Sequence, residues 1–330
     1  MIVNELRRSK VGLIPRILLG FLFGLIFVYS PLNLCDITTS YDIASYLVRI
    51  DNLIKGNDTV VDDMDLIQYM SNEPLWRSIL IFIGDNFKKP IDAVQLISLF
   101  SISVYAFFLI GRVNFFVMFA FLFNPLVVNL ITAQVRSALA MAIILLALSV
   151  KNRAVALSML AVASLIHTVT YMIFIIYLAS KFLESKSDKY THKKLGFLAF
   201  FFGVTMSFIL GAGKEVILGA IGDRRAEQVD EPVSITYLVY WVLMAFVLPF
   251  ISKRNNNPDK CWAEYYSIIM LLVPFFMAVF GTDGTRFLAL NFTIILYAIS
   301  TYTLRVRIAM MSCLFCYQIV QYWYWIQNMN

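Results

Sequence analysis

Charge is what this sequence lacks most. Asp, Glu, Lys and Arg make up 15% of its 330 residues, where a soluble domain of that length carries roughly a quarter. A Cys/His cluster with zinc-ligand spacing is missing, and so is a Gly-rich phosphate loop. Internal repeats and low-complexity tracts are absent too. Cysteine is scarce, and its four copies do not form a disulfide framework. What fills the chain is apolar: hydrophobic residues make up 60% and the mean hydropathy is +0.76. Apolar stretches of about 17–20 residues recur, each long enough to cross hydrocarbon as a helix. The composition is that of an all-α polytopic integral membrane protein, a single transmembrane domain over 1–330.

The first apolar stretch, about Gly12 to Tyr29, follows Arg7, Arg8 and Lys10. It is too long for a cleaved signal core and no small-x-small site precedes Pro31, so it reads as an uncleaved helix with a cytoplasmic N-terminus. Further helices are expected at about 91–110, 113–131, 137–150, 154–166, 168–180, 195–212, 235–251, 262–280, 287–304 and 308–325. With the first, that makes about 11 transmembrane segments, with outer loops at about 31–90 and 213–234. This arrangement puts 17 of the 27 basic residues in the cytoplasm. Of the 21 acidic ones, only Glu5, Glu184, Asp188, Asp259 and Glu264 join them. The basic excess is the positive-inside pattern, so the net charge of +6 reports topology and not nucleic-acid binding. Cys35 then lies outside and Cys261 inside, while Cys313 and Cys316, one turn apart in an apolar setting, read as small packing residues.

Segment 154–180 decides the topology. As one helix its 27 residues would run ~40 Å against a hydrocarbon core of ~30 Å, with Lys151 and Arg153 at one end and Lys181 to Lys194 at the other. Two short helices meeting near His167 return both basic clusters to the cytoplasm. The turn between them then sits in a protein-lined cavity, where broken helices are tolerated. The same logic puts Arg136 and Arg286 at the outer tips of two more hairpins, so three polar groups aim at one face of the membrane.

A charged or titratable group at membrane depth costs enough to desolvate that it is read as functional by default. Arg136 presents a planar fork suited to phosphate or carboxylate, against the alternative of an arginine snorkelling to headgroups. Its neighbours Gln134, Ser137, Ala138, Ala140 and Ala142 suggest a polar pocket beside close helix packing. His167 can be a base, a donor to an anion, or a histidine satisfied by a backbone carbonyl. Arg286, after Gly281-Thr282-Asp283-Gly284-Thr285, can bind an anion or pair locally with Asp283. The outer stretch 31–90 holds Glu73-Pro74-Leu75-Trp76-Arg77, with a short apolar piece after it, Ser78 to Gly84. Its Asp62-Asp63-Met64-Asp65 contains the Asp-x-Asp of metal-dependent nucleotide-sugar transferases, but no soluble α/β domain accompanies it, so a solvated acidic loop is the reading and no metal is expected. Tyr322-Trp323-Tyr324-Trp325 reads as an interfacial aromatic belt.

In order and spacing these residues resemble the EpsG/Wzy-type family of bacterial polysaccharide polymerases, over about residues 36–180 with a weaker echo at Arg286. The resemblance rests on Asp42 followed four residues later by Tyr46, and on Glu73 opening an apolar segment. It rests further on Val135-Arg136-Ser137-Ala138-Leu139-Ala140 before a helix and on Ile166-His167 about 30 residues later. The Arg and Gly often seen before the Asp are missing, and Ser137 stands where Gln is usual.

The resemblance implies a GT-C-like architecture in the bacterial cytoplasmic membrane. It implies joining of undecaprenyl-pyrophosphate-linked oligosaccharide units at the outer face, for O-antigen, capsule or exopolysaccharide, without a cofactor. The partners implied are the lipid-linked donor and acceptor glycans, membrane lipid, and flippase and chain-length regulator proteins. Arg136 and Arg286 would stabilise the departing pyrophosphate, with Glu73, Asp42 or His167, in that order, as general base. Tyr46, Arg77 and Gln134 would line the substrate site. Two rivals remain: a flippase or transporter of the same lipid-linked units, and a membrane acyltransferase that modifies glycans with His167 as base.

Overall fold

In an apolar setting each backbone N–H and C=O must find its partner within the chain, and helices supply it. The computed structural model describes residues 11–29, 41–55, 69–70, 72–150, 152–213, 216, 219, 235–251, 261–281 and 284–328. Among them are 14 α-helices and no β-strand. Three helices, Pro90–Leu109, His192–Gly211 and Trp262–Val279, are long and apolar enough to cross a membrane, four if one bent pair counts as a span. The chain therefore has the composition and the helices of a membrane-embedded protein. Its residues pack as two compact units, Met1–Met172 and Ile173–Asn330.

The first unit begins with α1 (Leu13–Val28), followed by α2 (Tyr41–Ile54), α3 (Pro74–Asn86) and α4 (Pro90–Leu109). Helix α1 lies against α4 because glycine lets the backbones approach. A Cβ on Gly20 would sit 2.8 Å from the Ser103 carbonyl oxygen, and one on Gly24 would strike the Ser103 hydroxyl. The same face buries Arg16, whose Nη2 donates to the Phe107 carbonyl at 2.9 Å with the guanidinium 4.2 Å over the Phe107 ring. Arg112 donates to the Phe108 carbonyl. Two guanidinium groups thus satisfy last-turn carbonyls of α4, the end where the helix dipole favours cations.

The stretch 31–90, expected as an outer loop, holds α2 and α3 and the start of α4. Helix α3 runs well beyond the apolar piece Ser78 to Gly84 and buries Trp76, Leu80 and Ile83, spaced as one face of a helix. Another difference falls at 113–131. A single helix was expected, but α5 (Phe115–Leu122) and α6 (Pro125–Thr132) meet at 64°. Asn124 causes the break: its Oδ1 accepts from the Leu126 N–H at 3.0 Å, and Pro125, lacking an N–H, takes the first helical position.

Helix α7 (Val135–Ser149) follows, then α8 (Arg153–Ile166). Ala138, Ala140 and Ala142 are fully buried, the close packing their size suggests. Helix α8 ends where the sequence places a break, with His167 in an extended conformation (φ −150°, ψ 119°), and α9 (Val169–Glu184) starts two residues later. Ile50, Trp76, Leu80, Ala93, Leu139 and Ile166 form one apolar cluster that ties α2, α3, α4, α7 and α8 together.

The second unit holds most of α9, then α10 (His192–Gly211), α11 (Ile235–Val247), α12 (Cys261–Val279), α13 (Thr285–Ser300) and α14 (Leu304–Asn328). Helix α12 lies at its centre, and α10 approaches it through Gly203, whose Cβ would lie 3.1 Å from the Ile269 Cα. At the start of α12 the buried Glu264 has Oε1 2.7 Å from His192 Nε2, and Glu184 Oε1 accepts from the Trp262 N–H at 3.0 Å. Cys313 and Cys316, expected to pack, are exposed on α14. The smallness of cysteine says only that it can pack, and these two lie on a helix face that also exposes Phe315, Ile319 and Val320.

Candidate functional site

Three helix ends of the first unit meet at one carboxylate. Glu73 precedes α3, Arg136 is the second residue of α7, and His167 follows α8. Arg136 was expected in a loop. It lies in the first turn of a helix, where the dipole disfavours a cation and the Glu73 carboxylate offsets it. Arg136 Nη1 donates to Glu73 Oε2. His167 Nδ1 lies 2.6 Å from Glu73 Oε1. That oxygen also accepts from the Thr168 N–H at 3.2 Å and the Thr168 hydroxyl at 3.4 Å. The side chains of Glu73 and His167 are each 5% exposed, and that of Arg136 is 15% exposed.

Burying a carboxylate costs several kcal/mol unless donors surround it. Here donors reach both of its oxygens. An ionised carboxylate only accepts, so His167 Nδ1 carries the proton and Nε2 is the ring nitrogen able to take another. Glu73 is also the one non-glycine residue with positive φ among the described residues, at φ 60° and ψ 60°. A residue before proline is pushed toward extended backbone, so this conformation costs about 1–3 kcal/mol and persists only where its surroundings enforce it. The enforcing contacts are those at the carboxylate and the burial of Trp76 one turn on, whose ring meets Tyr46 edge-on at 5.4 Å.

Two polar atoms beside this cluster are buried without a hydrogen-bond partner among the described residues: Arg136 Nε and Gln134 Oε1. On this guanidinium Nη1 is held by Glu73, while the Nε donor has no hydrogen-bond partner among the described residues.

Of the residues singled out by sequence, Glu73, Arg136 and His167 come together directly. Gln134 precedes α7, Tyr46 packs against Trp76, and the half-buried Arg77 donates its backbone N–H to the Glu73 carbonyl at 3.1 Å. Asp42 falls in α2, with its side chain outside the described residues. Arg286 belongs to the second unit, exposed in the first turn of α13. Asp283, its suggested partner, and the acidic run Asp62 to Asp65 lie outside the described residues. Among the described residues no group of three or more His, Cys, Asp or Glu side chains could hold a metal ion. Sequence reasoning missed Thr168, which contributes two donors. Its position directly after His167 in a helix break was the only signal. No family model, no curated protein and no solved structure matches the chain.

Proposed function

We propose that this protein is a polytopic membrane glycosyltransferase of GT-C-like architecture, a polysaccharide polymerase. It would join undecaprenyl-pyrophosphate-linked repeat units at the outer face of the bacterial cytoplasmic membrane, with its N-terminus inside and about 11 crossing segments, some of them short and broken. One observation carries the reading. Arg136 and His167, 63 and 94 residues from Glu73 in sequence, meet on its buried carboxylate.

The chemistry follows from that arrangement. A hydroxyl of the acceptor glycan attacks the anomeric carbon of the donor. The new C–O bond forms as the bond to the pyrophosphate oxygen breaks, and the electron pair leaves with the lipid pyrophosphate. The hydroxyl proton passes to His167 Nε2. Glu73 holds the imidazole in the tautomer this requires and offsets the charge that forms, as a buried carboxylate does in acid–base dyads. Arg136 faces the pyrophosphate with its Nε edge and stabilises charge that grows as the bond breaks. In this assignment His167 moves ahead of Glu73 and Asp42 as the base, because both oxygens of Glu73 are already engaged.

Purified protein in liposomes, supplied with labelled lipid-linked repeat units, should build a ladder of longer glycans. Transfer of intact units across the bilayer without chain growth would identify a flippase, and acylated units of unchanged length an acyltransferase. Either result would replace this reading.

A further inference from the structure

The Glu73 carboxylate serves two partners at once, the guanidinium of Arg136 at Oε2 and the imidazole of His167 at Oε1. A single negative charge shared this way cannot be fully available to both. The Nε N–H of Arg136, buried and unpartnered among the described residues, shows that the resting state uses only part of the fork. A side-on phosphate takes Nε with Nη2, leaving Nη1 toward Glu73. The backbone N–H and hydroxyl of Thr168, both uncharged, also donate to the carboxylate, at the Oε1 that faces His167. Arg77, in the first turn of α3, is a further charged group close to Glu73, and its backbone N–H donates to the Glu73 carbonyl at 3.1 Å.

We propose that Glu73 is an internal competitor for Arg136, and that a pyrophosphate docking on the guanidinium hands the carboxylate over to His167, so the base is armed only when the donor is bound. This rests on the glycosyltransferase reading for the identity of the anion, but the exchange itself requires only a phosphate-bearing ligand. Before the anion arrives, Arg136 draws off much of the carboxylate's charge, and the imidazole stays a weak proton acceptor. Once two phosphate groups neutralise the guanidinium, its pull on the Glu73 carboxylate weakens even though Nη1 stays beside it, and more of that charge is available to His167. The protonated imidazole that forms during transfer then gains a stronger counter-charge. A site armed this way does not strip protons in the absence of donor.

The test is binding of inorganic pyrophosphate to the purified full-length protein, with glycan synthesis measured separately. Removing the competing charge with Glu73→Gln should tighten pyrophosphate binding by about tenfold or more, the scale of coupling between close charges, while abolishing chain growth. Arg136→Ala should remove the binding. Affinity in Glu73→Gln equal to or weaker than wild type would overturn the proposal. A second measurement needs no variant that might misfold. The chain has two histidines, His167 and His192, so their ¹⁵N ring signals resolve in the wild-type protein. Saturating pyrophosphate should move the His167 signals toward imidazolium and leave those of His192 in place. Unmoved His167 signals at saturation would contradict the hand-over. A protein that shows both effects but makes no glycan chains would keep the hand-over and lose the polymerase.

Discussion

Glu73 and His167, 94 residues apart in sequence, meet at 2.6 Å between Oε1 and Nδ1, with both side chains 5% exposed. Neither residue is in a helix. One precedes α3 and the other follows α8, so their meeting fixes where two helices end. A buried pair of this kind is an expensive way to hold helices together, since apolar residues of similar volume often serve as well or better. The proposed function gives the pair a use beyond packing, chemistry at the imidazole.

Removing Arg136 should cost stability as well as activity. Arg136→Ala leaves the Glu73 charge buried with one cation fewer, a change worth about 3–5 kcal/mol for buried pairs. The double variant Arg136→Ala/Glu73→Gln should recover part of that loss, because the stranded charge is gone. Denaturation midpoints in detergent of the two single variants and the double variant form the cycle that measures it. Strict additivity would mean the two side chains do not interact.

Arg136→Lys should fail in chain growth although it keeps the positive charge. An ammonium is a point charge and cannot present the planar Nε–Nη2 edge that a phosphate takes side-on. Loss of such a charge-stabilising donor typically costs ~10²–10³ in rate, enough to erase a ladder of chain lengths while single units persist. A normal ladder from Arg136→Lys, at wild-type protein level, would reduce Arg136 to a structural ion pair.

Thr168 offers a milder probe. Thr168→Val removes the hydroxyl at 3.4 Å from Glu73 Oε1 but keeps the backbone N–H at 3.2 Å. The expected loss of stability is about 1 kcal/mol, with chain growth slowed and not abolished. Abolished growth in a stable Thr168→Val protein would mean that the hydroxyl itself touches substrate.

Under the proposed function chain growth should survive chelation, because Arg136 would stabilise the leaving pyrophosphate without a metal cation. Purified protein treated with EDTA should retain its rate. Activity lost in EDTA and restored by Mg²⁺ or Mn²⁺ would bring back Asp63 and Asp65 as ligands.

What the sequence made legible, and what it hid, follows from the physics of each signal. The break at His167 could be read because a 27-residue apolar run is too long for one span and carries basic clusters at both ends. The break at Asn124-Pro125 carried an equally plain signal, a capping side chain before proline, but the high hydropathy on both sides favoured one helix. Helices α2 and α3 were hidden by the charges around them, although Trp76, Leu80 and Ile83 already had helical spacing. Arg136 and His167 stood out because charge is rare among their neighbours. The backbone of Glu73 could not have been foreseen: Glu-Pro argues for extended structure, and contacts with residues as far as 63 and 94 positions away help hold it left-handed. Backbone donors such as the Thr168 N–H leave no mark on a sequence at all.

The proposed orientation has its own test. A membrane-impermeant thiol reagent applied to intact cells should label Asp63→Cys and miss Ser187→Cys, the latter in the exposed turn between α9 and α10. Labelling of Ser187→Cys from outside would invert everything after His167.

The central claim is that this buried cluster transfers a glycan with a lipid pyrophosphate as leaving group. Its most direct measurement is the balance between glycosidic bonds formed and lipid pyrophosphate released by the reconstituted protein. The account predicts that the two appear in equal numbers, and that both vanish in Arg136→Ala and His167→Ala protein that remains folded. Pyrophosphate lipid released without chain growth, or chain growth undiminished in either variant, would contradict it.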